Sequence, residues 1–291
     1  MKIGVVGLGA MGGAFAGNLL KAGHQVLGWN RSRAPLDILA QRGGLAARSI
    51  EEAFAADVTL SMLADDEACR ALFLESGLLD RLPAGTIHVN MATISVVLAR
   101  ELAEAHAKRG LVYVAAPVLG NAVLARDAKV HVLVAGPSRT VEFLRPILAA
   151  IGQSLWPLGE EPHKANVAKL AMNLLLGAAV EALSEAVALG RSHGIEPERL
   201  VKVLTNTTFS APAYRIYGDA IAREIFEPPN FRLRLEGKDI TLALAAAREA
   251  GLPLPLATVV HDAISDAVSH GDGDKDLAAL SRVMARHAAQ G

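Results

Sequence analysis

Over the first 135 residues, short apolar runs alternate with longer segments whose apolar positions recur every three or four residues. The runs at 2–6, 24–29, 58–63, 86–90, 112–115 and 130–135 read as strands. The segments at 10–22, 35–43, 49–56, 66–75 and 96–109 read as helices. In the first of them Met11, Phe15, Leu19 and Leu20 fall at helical spacing. Strands alternating with helices predict a doubly wound α/β domain, a parallel sheet covered on both faces and joined by right-handed crossovers. After Pro162 helical periodicity takes over. Helices are expected over 163–194, 197–204, 214–225, 233–250, 255–270 and 274–289. The chain is therefore expected to hold an α/β domain over 1–162 and an all-helical domain over 163–291. Helix 163–194 is apolar nearly all round, a pattern that normally marks a buried helix.

The first strand runs into Gly7-Leu8-Gly9-Ala10-Met11-Gly12, and a helix follows at once. In this G-x-G-x-x-G pattern the first glycine permits the tight turn, the second lets the backbone approach a pyrophosphate, and the third lets helix and strand pack closely. The helix N-terminus then presents free N–H groups to the phosphates. The hexapeptide alone is weak in a chain with 26 glycines, and its strand–turn–helix setting is what points to a dinucleotide. The second strand ends in Asn30-Arg31-Ser32 rather than in the acid that binds ribose hydroxyls in NAD-specific domains. Arg31 suits a 2′-phosphate and Ser32 can add a hydroxyl, so NADP(H) is expected over NAD(H). A solvated loop charge is the plain alternative for Arg31. Ligands in such sheets sit at the carboxyl ends of strands, which places Met62, Leu63, Ala64 and Thr93 along the cleft. Without a ligand, Thr93 would be a turn or cap residue.

On helix 163–194, Asn166, Lys169 and Asn173 share one face amid Val167, Leu170, Met172 and Leu174. Polar groups on such a helix need partners or a wet pocket. A lysine reaching water through its stem at a domain seam is the ordinary reading. The chemical reading is hydride transfer: an ammonium can stabilise and protonate the oxygen formed when a carbonyl is reduced, and desolvation fits an amine to act as base in reverse. Asn173 can hold substrate oxygens or the lysine.

The 29 basic and 30 acidic residues balance, so overall charge gives no reason to expect nucleic acid or a charged membrane as partner. The single cysteine, Cys69, permits no internal disulfide and fits a reducing, cytoplasmic setting. No signal-peptide pattern and no uncharged apolar stretch of membrane-spanning length is visible. No metal-ligand spacing stands out among the nine histidines.

GLGAMG, NMATIS at 90–95, AAPVLGN at 115–121, Lys169 with Asn173, and GKD at 237–239 occur together in this order. With these motifs the chain resembles the β-hydroxyacid dehydrogenase family, whose members include 3-hydroxyisobutyrate dehydrogenases and glyoxylate or succinic semialdehyde reductases. The resemblance covers essentially the whole chain. It implies a Rossmann domain, an all-helical second domain, a homo-oligomer (a homodimer is expected when the long apolar helix is added), a small carbonyl or hydroxy substrate, and Lys169 as proton donor or acceptor with Asn173 as substrate ligand. It also implies that Lys238 and Phe231 lie against the cofactor. The segment usually reading D-A-P-V-S-G-G is altered: Leu119 replaces the serine expected to help hold a carboxylate, followed by Gly120 and Asn121, whose backbone N–H groups can still bind an anion. A more apolar aldehyde, ketone or cyclic imine becomes plausible. Ser210, Ala211, Pro212, Tyr214 and Tyr217 are candidates for the opposite pocket wall, with packing as their simpler role. An imine reductase and a non-catalytic NADPH-binding interaction module stand as alternatives, and retention of Lys169 weighs against both. Chemistry of the 6-phosphogluconate type ranks below them.

Overall fold

The computed structural model describes residues 1–288, which form two compact units divided between Lys169 and Leu170. In the first, strands β1 (Lys2–Val6), β2 (Gln25–Trp29), β3 (Leu45–Ala46), β4 (Val58–Ser61), β5 (Ile87–Asn90) and β6 (Val112–Ala115) form a parallel sheet. Their order is β3-β2-β1-β4-β5-β6. Helices α1 (Ala10–Lys21), α2 (Ala34–Gln41), α3 (Ile50–Phe54), α4 (Asp66–Arg70) and α5 (Val96–Ala107) make the connections. Alternate residues of each strand bury on opposite faces: Ile3 and Val5 pack with Phe15 and Leu19, whereas Val6 packs with Phe54, Phe73 and Leu98. The strand order reverses between β1 and β4, and the crevice beyond their carboxyl ends is where such sheets bind ligands.

Three strands stand apart from this sheet. β7 (Val118–Leu119), β8 (Val130–Val134) and β9 (Gly152–Pro157) form a smaller one, with α6 (Ala122–Arg126) and α7 (Ser138–Ala149) between them. The run at 130–135 reads from sequence as a further strand of the alternating series, but β8 pairs antiparallel to β7 and parallel to β9. Pro117 has no N–H with which to continue the β6 ladder, and the chain leaves the large sheet there. Paired backbone bonds between Ala115 and Ala135, 3.0 and 2.9 Å, join the two sheets. Helix α7, a segment to which the sequence pattern assigns no element, continues through Pro146 and buries Val141, Leu144, Ile147 and Leu148 along one side. Likewise 66–75 is not one regular helix: α4 passes into a π-helical turn at Ala71–Glu75.

Helix α8 (His163–Ser192) runs across the division and is followed by α9 (Pro197–Asn206), α10 (Pro212–Ala222), α11 (Leu233–Glu249), α12 (Pro255–Ser269) and α13 (Ser281–Ala288). The second unit's core gathers Val180, Leu183, Val187, Leu233, Ile240, Val260, Ile264 and Leu277. The helix expected over 274–289 is a 3₁₀ turn, Leu277–Leu280, followed by α13, and Ala289 lies outside the described residues. Helix α8 departs from the expectation of burial all round. Asn166, Lys169, Asn173, Glu181 and Ser184 are buried on it, whereas Leu175 and Leu189 are each 64% exposed. Periodicity could not sort these faces, because apolar residues occupy both. By length and composition alone α8 could cross a membrane.

Behind β4 and β5 lies a buried polar chain. His106 Nδ1 is 2.7 Å from the Leu102 carbonyl oxygen, which can only accept, so Nδ1 carries the proton and Nε2 accepts. His88 Nδ1 therefore donates to His106 Nε2 at 2.9 Å, and Ser61 Oγ donates to His88 Nε2 at 2.8 Å. Both imidazoles are held neutral by burial, His88 well below its ordinary range and His106 down to about 4, with mutual repulsion adding to the effect at His88. The unfolded chain takes up protons that the folded chain refuses, so stability is complete above about pH 6.5 and is lost as pH falls toward 4. For His106 alone the loss amounts to roughly 3 kcal/mol. Urea unfolding between pH 7.5 and 4.5 should show this decline, and His106→Gln should make it shallower. Superimposable pH profiles for the two proteins would remove the histidines as its source.

Candidate active site

The turn after β1 is shaped by close backbone approach. Gly7 has φ +87°, and a side chain there would strike the carbonyl oxygen of Met62 at the end of β4. A Cβ on Gly12 would strike the backbone oxygen of Gly7. β1, β4 and α1 thus meet with no room for side chains. Gly9 is the reverse case, with nothing within 4 Å of where its Cβ would stand. It is the N-cap of α1, no side chain caps that end, and the first turn holds no acid. The N–H groups of Ala10, Met11 and Gly12 therefore face outward without intrahelical partners. An open backbone cradle with a positive helix end fits a pyrophosphate.

Asn30 has a task that spacing does not reveal. Its Oδ1 accepts the Leu8 N–H at 2.9 Å, while its Nδ2 donates to the carbonyl oxygen and Oγ of Ser32 at 3.1 and 3.0 Å. The Gly7 N–H bonds the Trp29 oxygen at 2.9 Å. The end of β2 is thus tied to the glycine turn. Arg31, beside it, is exposed and has no ion-pair partner among the described residues. A guanidinium in place of an acid at this strand end fits a phosphate-bearing ribose.

At the neighbouring strand ends Met62 and Leu63 are half-buried, Ala64 is exposed and Thr93 is half-buried. The cap of α5 is Ser95, whose Oγ accepts the Leu98 N–H at 3.0 Å, two residues beyond Thr93. Asn90 Oδ1 accepts the Ala92 N–H at 2.9 Å and shapes the loop that carries Thr93. In the altered segment, Leu119 packs against the apolar cluster that includes Leu133 and Ala165. Gly120 has φ +134°, and a Cβ there would lie 3.0 Å from Val130 Cγ1. The Asn121 side chain caps α6, accepting from Val123 and Leu124 N–H at 3.1 and 3.0 Å. Its oxygen is thereby committed to the helix cap.

Lys169 is 8% exposed, and Asn173, one turn further along α8, is 4% exposed. In the second unit Asn173 Nδ2 donates to Asp239 Oδ2 at 2.5 Å, and Lys238 Nζ lies 3.2 Å from Asp239 Oδ1. Asp239 therefore joins its neighbour Lys238 to Asn173, and the bond to Asn173 spans 66 positions. It was visible only as the last letter of GKD, with no role attached. Phe231 lies in a loop organised by Asp276, whose Oδ2 accepts from Asn230 and Phe231 N–H at 2.7 and 3.3 Å. Nothing in the local pattern around Asp276 signals this. Tyr217 is buried and Tyr214 half-buried, both packed with the second unit's core. Ser210 and Ala211 are exposed.

Two family profiles match the chain. The NAD binding domain of 6-phosphogluconate dehydrogenase matches residues 2–159, and the NAD-binding domain of NADP-dependent 3-hydroxyisobutyrate dehydrogenase matches residues 164–284. The uncharacterized oxidoreductase YfjR of Bacillus subtilis (strain 168) is 38% identical over 286 residues, 98% of this chain and 100% of that protein. Glyoxylate/succinic semialdehyde reductase 1 of Arabidopsis thaliana is 30% identical over 282 residues, 96% of this chain and 97% of its own. A Mycobacterium tuberculosis 3-hydroxyisobutyrate dehydrogenase structure with L-serine superposes with a TM-score of 0.90 at 28% identity, covering 97% of this chain and 98% of that one. An imine reductase from Pseudomonas sp. shares the fold, with a TM-score of 0.63 at 23% identity over 97% and 99% of the two chains.

The glycine geometry separates folding from binding. Gly12→Ala should cost about 1–3 kcal/mol of stability through overpacking and also lose dinucleotide binding. Gly9→Ala meets open space and should keep the wild-type unfolding midpoint while weakening binding about tenfold or more by intruding on the cradle. Denaturant unfolding with a fluorescence titration of NADPH checks both, and unchanged NADPH affinity in Gly9→Ala would place the phosphates elsewhere.

Proposed function

The chain belongs to the β-hydroxyacid dehydrogenase family of NAD(P)-dependent oxidoreductases, and we propose that it is an NADP(H)-preferring reductase or dehydrogenase of a small carbonyl/hydroxy compound. Lys169 is its proton donor and acceptor. The observation that carries this reading is a buried lysine one helical turn from a buried asparagine that is itself held by Asp239. The first unit is the cofactor domain, and the second supplies substrate contacts and a dimer face. The exposed apolar flank of α8, with Leu175 and Leu189, supports a homodimer. A single buried cysteine accords with a cytoplasmic enzyme.

When bound, the nicotinamide dinucleotide supplies or takes up the hydride. Gly9 and the first turn of α1 would hold the pyrophosphate, and Arg31 would pair with the 2′-phosphate. By the family resemblance Phe231 and Lys238 would meet the cofactor, and within the second unit Lys238 is steadied by Asp239. In the reducing direction, negative charge grows on the former carbonyl oxygen. The Lys169 ammonium stabilises it and passes a proton from Nζ to that oxygen; in the oxidising direction the neutral amine takes the hydroxyl proton back. Asp239 accepts one amide hydrogen of Asn173 and fixes how that amide meets the substrate oxygens. Leu119 and the backbone of Gly120 and Asn121 line the substrate. Leucine removes a hydroxyl donor and adds apolar surface, which favours a substrate more apolar than the family's usual hydroxyacids.

Absorbance at the nicotinamide band, followed over glyoxylate, succinic semialdehyde, methylmalonate semialdehyde, apolar aldehydes and a cyclic imine, tests the reading. Turnover with NADPH should exceed that with NADH, and Arg31→Ala should close the gap by about tenfold or more through loss of a charge-assisted pair. Lys169→Ala should lower kcat by about 100-fold or more. Bound NADPH without turnover of any carbonyl would instead favour a binding module, and a cyclic imine outpacing every carbonyl would favour an imine reductase.

A further inference from the structure

Two hollows on the first unit, of about 550 and 520 Å³, share Asn18, Lys21 and Arg126 and so form one continuous groove. Arg42 lines one part of it and Lys129 the other. Its floor is firm: Asn18, 6% exposed, donates through Nδ2 to the Ala125 carbonyl oxygen at 2.7 Å and locks α1 against α6. Gly17 leaves room for Arg42, whose Nη1 lies 3.5 Å from where a Cβ would stand.

The charge in this groove is unbalanced. Most arginines of the chain sit within ion-pair distance of a carboxylate, as do Arg33, Arg70, Arg81, Arg109 and Arg145. Lys21, Arg42 and Arg126 have no such partner among the described residues, and Lys129 has only Asp127 at 3.7 Å. Three helices end here, since Lys21 is the last residue of α1, Arg126 the last of α6, and Arg42 the C-cap of α2. A helix C-terminus carries roughly −0.5 charge, which explains one cation near each end. Three ends and Asp127 together offset only about 2.5 of the four positive charges, and α6 is too short to deliver its full share.

We propose that this groove is a binding site for an oligophosphate chain, separate from the dinucleotide cradle at the other end of α1. The two ends of this helix are about 18 Å apart, so one ligand phosphate cannot serve both. Several cations around one groove favour a ligand with several adjacent charges over a single carboxylate. The apolar part of the lining, Ala14, Leu20, Ala22, Ala128 and Ala150, is aliphatic and has no ring to stack on a base. Occupancy at the C-terminal half of α1 also gives the anion a route to the cofactor turn, because α1 begins at Ala10.

Calorimetric titration of tripolyphosphate into the full chain, with and without saturating NADPH, tests the assignment. One site that persists with NADPH present is expected, weakened about tenfold or more by Arg126→Glu and by Lys21→Glu. Arg248→Glu, at an exposed arginine of the second unit, should change the affinity less than twofold. ATP titrated in parallel tells the sources apart: equal affinity supports recognition of the phosphate chain alone, and tighter ATP binding supports a nucleoside triphosphate. No binding up to about 1 mM, or equal weakening by Arg248→Glu, overturns the proposal. So does Arg126→Glu and Lys21→Glu both binding like wild type. If NADPH itself fails to bind, the cofactor assignment falls, while the dependence on Arg126 still decides the groove.

Discussion

Everything in the first unit hangs on the contact between the backbone of α1 and the turn after β1. Gly12 lies against the Gly7 oxygen, and Gly7 in turn lies against the Met62 oxygen. Neither contact admits a single extra carbon, so the helix axis, the central strand and its neighbour are fixed relative to one another at backbone precision. That rigidity gives the open position of Gly9 its meaning. A phosphate group needs several N–H donors held at once, and a turn free to flex would lose much of that preorganisation. Asn30 completes the arrangement by spending its carbonyl on the Leu8 N–H.

A second constraint is the burial of polar groups on α8. Asparagine, lysine and glutamate on a helix of this apolarity are costly to bury unless each finds a partner or a function. Asn173 finds Asp239, and Asp239 also holds Lys238. Glu181 shows the cost in another form: burial, with the nearby Glu185 charge, raises its carboxyl to about 7. These polar groups are buried on α8 beside Leu170, Val180 and Leu183, while Leu175 and Leu189 stand exposed on the same helix.

Charge illustrates how a sum conceals a distribution. The chain is nearly neutral, yet Lys21, Arg42, Arg126 and Lys129 meet around one groove whose lining holds a single carboxylate, Asp127. Electrostatic recognition is set within about a Debye length, roughly 10 Å, so the local surplus governs what can bind there and the chain total does not.

Sequence by itself determined what repeats or depends on short spacing. The alternation of apolar runs and amphipathic segments specified the doubly wound sheet and the helical region after it, and G-x-G-x-x-G specified the turn, because those patterns are local consequences of strand and helix periods. Lys169 and Asn173 were legible for the same reason, four residues being about one helical turn. Tertiary structure alone decided the rest. It set β8 in a separate sheet, kept α7 helical through Pro146, turned Leu175 and Leu189 outward, and gave the Asn121 side chain to a helix cap. It joined Asn173 to Asp239 across 66 positions and Asn18 to Ala125 across 107. Bonds of that span leave no periodic trace, since each depends on where two distant backbones come to lie and not on the residues beside either end.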